Sequence, residues 1–414
     1  MIPAHTDFTG FVGHRVHLGV TGSVAAYRAV EVLRRLQRAG IDVGVTLTSA
    51  AQEFIQPLQF RCLTQAPVYH SLFSADQAQF AHLEPAQNAR VFIVAPCTAN
   101  TLAKHANGLG DDLLSTQLLA FSGPVIHAPA MNPRIWDSFF VQRNITLLRS
   151  QGVIFVEPEH GNLACGESGI GRLAEIEEIF LTTLKALTSQ DLAGLRVLVN
   201  LGPTWEYLDP VRIITNRSSG IMGASIAMAA WLRGAEVTMV CGPTQVLWLP
   251  RFFTPVNVQT AKEMHAACLD LAANMDVICL TAAVSDYSPI NSSPGKLKKQ
   301  ALGSSFTITL CSNPDILADI GKQKRVGQIL IGFAAETSDP GVEAKRKLAE
   351  KNLDMVLANR VDKQEIGFGS THNQVTVFDR AGRSEMWPVL SKPEIGMRLF
   401  DWIVDAFATA IATT

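Results

Sequence analysis

At 414 residues the chain is too long for a single hydrophobic core and is expected to form two domains. A net charge of -2, from 35 basic and 37 acidic residues, excludes an overall electrostatic pull toward nucleic acid or an anionic bilayer. Although 47% of the residues are hydrophobic, no apolar run approaches the ~18 residues of a membrane span and the first residues carry no secretory core, so a cytoplasmic protein with neither nucleic-acid nor membrane partners is expected. Seven cysteines without a Cys-x-x-Cys pair argue against a disulfide framework or a zinc site.

Residues 1–14 are polar and aperiodic and read as a flexible arm. A strand at 15–19 runs into Val-Thr-Gly-Ser-Val-Ala-Ala-Tyr, after which Ala26, Val30, Leu33 and Leu36 mark one face of a helix ending at Gly40. This is the strand-turn-helix of a phosphate loop, in which Gly22 lets the backbone approach a ligand and Ser23 can donate to a phosphate oxygen. Alone, such a turn fits many nucleotides or none. Residues 42–47 supply the next parallel strand. The buried strand from 91 opens at Pro96 into Cys97, Thr98, Ala99, Asn100 and Thr101, small residues at a strand's carboxyl end, where ligands of such sheets bind. Cys97 is expected as a buried filler. Residues 108–116 form a loop and helix start with Asp111 as a candidate cap. The strand at 125–131 closes in Pro129-Ala130-Met131-Asn132-Pro133, with Trp136 one turn on. The glycine-rich run 161–173 reads as a mobile lid and 175–187 as a helix. Residues 189–195 are the expected linker between domains spanning 15–188 and 196–414.

The second half restarts the pattern with a strand at 196–200. It is followed by the long run Gly-Pro-Thr-Trp-Glu-Tyr-Leu-Asp-Pro-Val-Arg-Ile-Ile-Thr-Asn-Arg-Ser-Ser-Gly-Ile-Met-Gly at 202–223. Ile226, Ala229 and Ala230 then recur at helical spacing, so Asn216 to Gly220 sits at a helix N-terminus. There, backbone N–H groups and the hydroxyls of Ser218 and Ser219 either hold an anion or cap the helix. Further strands at 236–240 and 276–282 flank a helix at 261–274, and the later strand ends in Ala-Ala-Val-Ser-Asp-Tyr, with Asp286 at its polar end. Lys296, Lys298 and Lys299 are either a solvated face or a phosphate contact. Another strand runs at 329–337. Lys347 and Lys351 share a helix face, with Glu343 as an ordinary pairing partner. The expected fold class is α/β, with two Rossmann-like three-layer domains and mainly parallel sheets.

The run 202–223 resembles the substrate-binding motif of phosphopantothenate-cysteine ligases. The segment before it resembles the flavin-dependent phosphopantothenoylcysteine decarboxylases to which those ligases are fused in bacteria, and the resemblance covers about residues 15–400. It implies coenzyme A biosynthesis by two reactions. CTP drives ligation of phosphopantothenate with cysteine through an acyl cytidylate, and an FMN-dependent decarboxylation then gives phosphopantetheine. A flavin that first takes a hydride equivalent from the cysteine Cβ leaves a thioaldehyde able to accept the electrons released with CO₂.

In the first half the resemblance places FMN against Gly22, Ser23, Thr48, Pro96, Thr98, Asn100 and Ser115, and substrate against Met131 and Asn132, with Asn132 gripping the carboxylate. His82 aligns with the family's catalytic histidine, and Cys165, in Ala-Cys-Gly, with the flap cysteine that donates a proton. In the second half Arg212, Asn216, Ser218, Ser219 and Gly220 hold phosphopantothenate, Asn216 positioning the intermediate. CTP meets Ala282, Asp286, Lys296, the loop of Pro314, Asp315, Ile316 and Leu317, Phe333, Lys347 and Lys351. Lys296 is expected at the α-phosphate, where a cation stabilises growing charge, and Asp286 at the nucleotide or a Mg²⁺ ion. The chain departs from the family pattern at Cys97, Ile135, Asn200-Leu201 and Ile221. The implied partners are the small-molecule substrates and further copies of the chain. Two rivals are a flavoprotein of the same fold serving as a regulatory subunit, which the presence of His82 and Cys165 disfavours, and a two-domain dehydrogenase. The dehydrogenase lacks an intact Gly-x-Gly-x-x-Gly after either first strand.

Overall fold

The computed structural model describes residues 2–73, 80–162, 166–246, 248–336, 340–360 and 370–407. These fall into two compact units, one of residues 9–189 and one of residues 1–8 with 190–414.

The first unit is built on β1 Arg15–Val20, β2 Asp42–Leu47, β3 Val68–Tyr69, β4 Val91–Cys97, β5 Val125–Pro129 and β6 Ile154–Phe155. Their order across the sheet is β3-β2-β1-β4-β5-β6, and every pairing is parallel. Strands covered by helices on both faces must be apolar throughout, and all seven residues of β4 are buried. The chain winds outward from β1 through β2 to β3 and restarts at β4, so the carboxyl ends of β1 and β4 form the switch point at which such sheets bind ligands. The helix after β1 begins as a 3₁₀ turn, Val24–Arg28, and continues as Ala29–Arg38. Its buried face is Ala26, Ala29, Val32, Leu33 and Leu36, with the expected Val30 only half-buried. The run expected to be a lid contains an antiparallel hairpin, β7 Glu159–Asn162 with β8 Ser168–Arg172. Cys165 lies outside the described residues. A helix Ile176–Leu187 ends the unit.

The second unit contains β9 Arg196–Leu201, β10 Trp205–Tyr207, β11 Ile213–Thr215, β12 Glu236–Cys241, β13 Val256–Asn257, β14 Val277–Leu280, β15 Tyr287–Pro289 and β16 Leu310–Ser312. It continues with β17 Ile329–Glu336, β18 Met355–Arg360, β19 His372–Asn373, β20 Val375–Asp379 and β21 Ser384–Met386. The main sheet runs β13-β12-β9-β14-β17-β18-β20-β21, parallel as far as β18 and antiparallel beyond it. The α/β expectation with mainly parallel sheets is borne out in both units. The helix Ile221–Leu232 has buried residues on all sides, consistent with its lack of a polar face. It packs against the helix Lys392–Ala406, where a Cβ at Gly396 would lie 2.9 Å from the Ser225 carbonyl oxygen.

Two boundaries differ from the sequence reading. Residues 2–8 are not a loose arm: Ala4–Thr6 form a 3₁₀ turn against the helices Ile221–Leu232 and Lys392–Ala406, and His5, Thr6 and Phe8 are buried. Residues 190–195 are not a free linker either. Leu192 and Leu195 are buried, and Asp191 pairs with Arg233 at 2.5 Å, so apolar side chains and an ion pair fix this segment to the second unit.

His17 on β1 and His127 on β5 are fully enclosed in the first unit, and burial lowers both from 6.5 to about 3. The folded values lie below the unfolded ones, so between these limits the unfolded chain binds more protons. Stability is therefore lost as pH falls through that window. Amide exchange of β1 at about pH 4 is expected to run faster, after correction for intrinsic rates, than at about pH 7, and His17→Gln is expected to flatten the difference.

Candidate functional site

At the carboxyl edge of the first sheet, four of the anticipated site residues turn out to be helix N-caps. Ser23 accepts from the N–H of Ala25 at 3.3 Å, Thr48 from Ala51 at 3.2 Å, Thr98 from Thr101 at 3.5 Å and Asn132 from Arg134 at 2.9 Å. A hydroxyl that caps by accepting retains its own proton to donate. The buried Thr21, unnoticed in the sequence, donates to the Pro96 carbonyl at 2.8 Å and accepts from the Thr98 N–H at 3.1 Å. It thereby ties the ends of β1 and β4 together. Gly22 is required there because a Cβ would lie 2.5 Å from that of Ala50. Ser23, Tyr27, Arg28, Met131, Asn132 and Gly171 help line a cleft of ≈ 410 Å³.

Other expected residues stand elsewhere. Ser115 is buried in a capping box with Asp112, accepting from its N–H at 3.1 Å and receiving the carboxylate on its own N–H at 2.8 Å. Asp112 rather than Asp111 is thus the cap, while Asp111 pairs with Lys104 at 2.7 Å. Asn100 is exposed. Cys97 is fully buried, and burial pushes its thiol up, so it is a filler rather than a nucleophile. His82 is half-buried in the turn before the helix Glu84–Asn88, edge-on to Phe80 at 6.3 Å.

The hairpin lies directly on the Asn132 turn. Gly171 accepts from the Met131 N–H at 2.9 Å, and a Cβ on Gly171 would come within 2.1 Å of the Met131 carbonyl oxygen. From the hairpin, Glu167 reaches Asn132 Nδ2 at 2.9 Å and the Arg134 guanidinium at 2.6 Å. The Asn132 amide, followed by Arg134, holds the Glu167 carboxyl below its ordinary range. The carboxamide expected to receive a substrate carboxylate is already bonded to one.

In the second unit the strand-end loops form one hydrogen-bonded cluster. Asn216 Nδ2 donates to the Ala283 and Val284 carbonyls at 3.2 and 3.1 Å, Thr204 Oγ1 accepts from the Ser285 N–H at 3.0 Å, and Asn313 donates to the Ser285 and Asp286 carbonyls at 2.8 Å. Asn200, a departure from the family pattern, shapes the loop: its Oδ1 accepts from Thr281 and Ala282 N–H at 2.7 and 2.9 Å. Gly220, at φ +77°, starts the helix Ile221–Leu232, where a Cβ would lie 2.2 Å from Thr244 Oγ1. Ser219 and Gly220 are buried, Ser218 is half-buried, and Asp286, Lys296 and the Asn216 residue are exposed. Asp315 caps the helix Ile316–Gln323 and pairs with Lys351 at 2.7 Å, whereas Lys347 stands 3.8 Å from Glu343. Phe333 is half-buried on β17.

Residues 192–407 match the family model of the DNA/pantothenate metabolism flavoprotein C-terminal domain, and residues 10–188 match that of flavoproteins. The coenzyme A biosynthesis bifunctional protein CoaBC of Bacillus subtilis is 40% identical over 392 residues, 94% of this chain and 96% of the relative. The chain belongs to the CoaBC family. The Escherichia coli K12 member is 39% identical over 95% of this chain and 98% of its own length, and that of Vibrio cholerae 40% over 92% and 95%. Among solved structures, the C-terminal domain of a CoaBC protein is 38% identical over 53% of this chain and 100% of that one, with a TM-score of 0.45. The chain is accordingly a bifunctional enzyme of coenzyme A biosynthesis, with a flavoprotein decarboxylase half and a ligase half. Among the described residues no helix is long and apolar enough to cross a membrane.

Proposed function

We propose that the second unit joins phosphopantothenate to cysteine at the expense of CTP, and that the first decarboxylates the product with FMN. The Asn132–Glu167 contact carries the decarboxylase reading, because the Asn132 amide donates there to a carboxylate at the wall of the cleft, the geometry a substrate carboxylate would take. The residues fit FMN: capping hydroxyls of Ser23, Thr48 and Thr98 stand at helix starts, and Gly22 allows close backbone packing at the first turn. When bound, FMN supplies a reversible hydride acceptor. Ser23, Thr48 and Thr98 would hold it, Asn132 would orient the substrate carboxylate, and the hairpin over Met131 would keep water from the reacting atoms. His82 and Cys165 are the proposed proton-handling residues, and Asn100 and Pro96 further flavin contacts.

In the second unit the loop 216–220 and Arg212 would receive phosphopantothenate, and Lys296 would approach the α-phosphate of CTP. Attack by the substrate carboxylate expels pyrophosphate, and the cysteine amine then displaces CMP. Two easier steps replace one difficult condensation. No three metal-ligating side chains converge among the described residues. Mg²⁺ would arrive on the triphosphate, with Asp286 as its protein contact. Self-association is in keeping with the exposed Val24 and Tyr27, the latter lining the cleft, and with exposed Phe139 and Phe140. A cytoplasmic location completes the reading.

The full-length protein is expected to purify yellow with FMN and to convert phosphopantothenate, cysteine and CTP into pyrophosphate, CMP, CO₂ and phosphopantetheine. A colourless protein that FMN cannot reconstitute sinks the decarboxylase half. Equal turnover with ATP sinks the nucleotide assignment alone.

A further inference from the structure

The side chain of Asp209 is fully buried although the next residues of its turn are exposed. Its Oδ1 accepts from the N–H groups of Val211 and Arg212, both at 2.7 Å, closing an Asx turn. Its Oδ2 turns the other way, accepting from the Arg212 guanidinium at 2.8 Å and from the N–H of Leu297 at 3.1 Å. The same Arg212 Nη1 donates to the Leu297 carbonyl at 2.9 Å. Ser293 N–H adds a bond to the Leu208 carbonyl at 2.9 Å. Both backbone polar groups of Leu297, the residue between Lys296 and Lys298, are therefore held by one ion pair that lies more than 80 positions earlier in the chain. Burial pushes the Asp209 carboxyl up, but the N–H groups of Val211, Leu297 and Arg212, with the Arg212 charge, outweigh it and keep the carboxyl below its ordinary range.

We propose that Asp209 is a positioning residue of the ligation reaction, which fixes the Leu297 backbone through this clasp and thereby presents the neighbouring Lys296 ammonium to the phosphate where charge develops. The inference rests on the reading of Lys296 as the phosphate-contacting lysine. The loop has need of such a clasp: Lys296, Lys298 and Lys299 are exposed, and a Cβ at Gly295 would touch nothing. A long, flexible lysine stabilises a transition state only when its backbone origin is fixed. Because Arg212 also belongs to the substrate motif, occupancy of the substrate loop and the placement of Lys296 depend on one ion pair.

Asp209→Asn separates the two halves of the clasp. Its Oδ1 can still accept from Val211 and Arg212, but an amide NH₂ then faces the Leu297 N–H and the guanidinium, donor against donor. With phosphopantothenate, cysteine and CTP in the full-length protein, kcat for pyrophosphate release is expected to fall about 10- to 100-fold while KM for CTP changes less than about threefold. At saturating phosphopantothenate, so that any effect through Arg212 on substrate binding drops out, the same substitution in the Lys296→Gln background is expected to cost kcat nothing further, since the residue it positions is gone. A parent-like Asp209→Asn beside a slow Lys296→Gln overturns the proposal and leaves the lysine assignment standing. Multiplying effects, or a loss confined to KM, also overturn it. A parent-like Lys296→Gln removes the lysine assignment and this inference together. Should Asp209→Asn fail to fold, hydrogen exchange in the parent decides: the Leu297 amide is expected to be protected, and exchange at the rate of an unbonded loop amide rejects the clasp.

Discussion

Replacing His82 with Asn is expected to slow CO₂ release about a hundred- to ten-thousandfold, the usual range for losing a positioned acid or base, with pyrophosphate release by the same preparation unchanged. The backbone around His82 is well anchored. Ala81, one residue earlier, is buried and its carbonyl accepts from the enclosed Gln117 at 2.8 Å, and the Phe80 carbonyl accepts from Leu83 and Glu84 N–H at 2.9 and 3.2 Å. Asn keeps polarity and hydrogen bonding but has no ring nitrogen to exchange a proton, so the turn should survive while the proposed proton-handling group is lost. The residues proposed for ligation all belong to the other unit. Loss of both activities in a folded variant would falsify the division of labour, and unchanged CO₂ release would remove His82 from the chemistry.

The longer central strands were legible to within a few residues because helices cover both faces of a parallel sheet, whereas short edge strands such as β3, β6 and β13 and the antiparallel β21 were not read. That burial leaves an uninterrupted apolar run such as Val91–Cys97, ending where the proposed site begins. The motifs at those ends were legible too, but their local geometry was less so. The choice of Asp112 over Asp111 as a cap depends on the extended backbone of Asp112, φ -134°, which composition does not encode. Residues 2–8 looked loose because the surface burying them is built from helices more than 200 positions away. The paired strands Glu159–Asn162 and Ser168–Arg172 are polar and glycine-rich, so no apolar alternation announced them. The contacts of Asp209 and Asn200, the latter noted only as a departure from the family pattern, were not legible for a related reason: their decisive partners, Leu297 and Thr281, come some 80 positions later.

Lys296→Gln is expected to slow pyrophosphate release from CTP and phosphopantothenate, with cysteine omitted, about 100-fold, or ~3 kcal/mol of transition-state stabilisation. Omitting cysteine confines the measurement to the step in which charge grows on the α-phosphate. Lys298→Gln is the internal control: both lysines are exposed and carry the same charge, but they flank Leu297 on opposite sides, and Lys298 stands at the N-terminus of the short helix Lys299–Leu302. A lysine that only solvates the loop contributes at most about 1 kcal/mol, mostly screened by salt. The two roles therefore differ by more than tenfold in rate, well beyond assay error. Glutamine preserves the length of the stem and a polar end while removing the charge, so a slow Lys296→Gln beside a normal Lys298→Gln would assign the effect to one ammonium rather than to the net charge of the loop. Equal slowing of both would indicate a general electrostatic field, and parent rates in both would return the run to solvent and displace the α-phosphate from this loop.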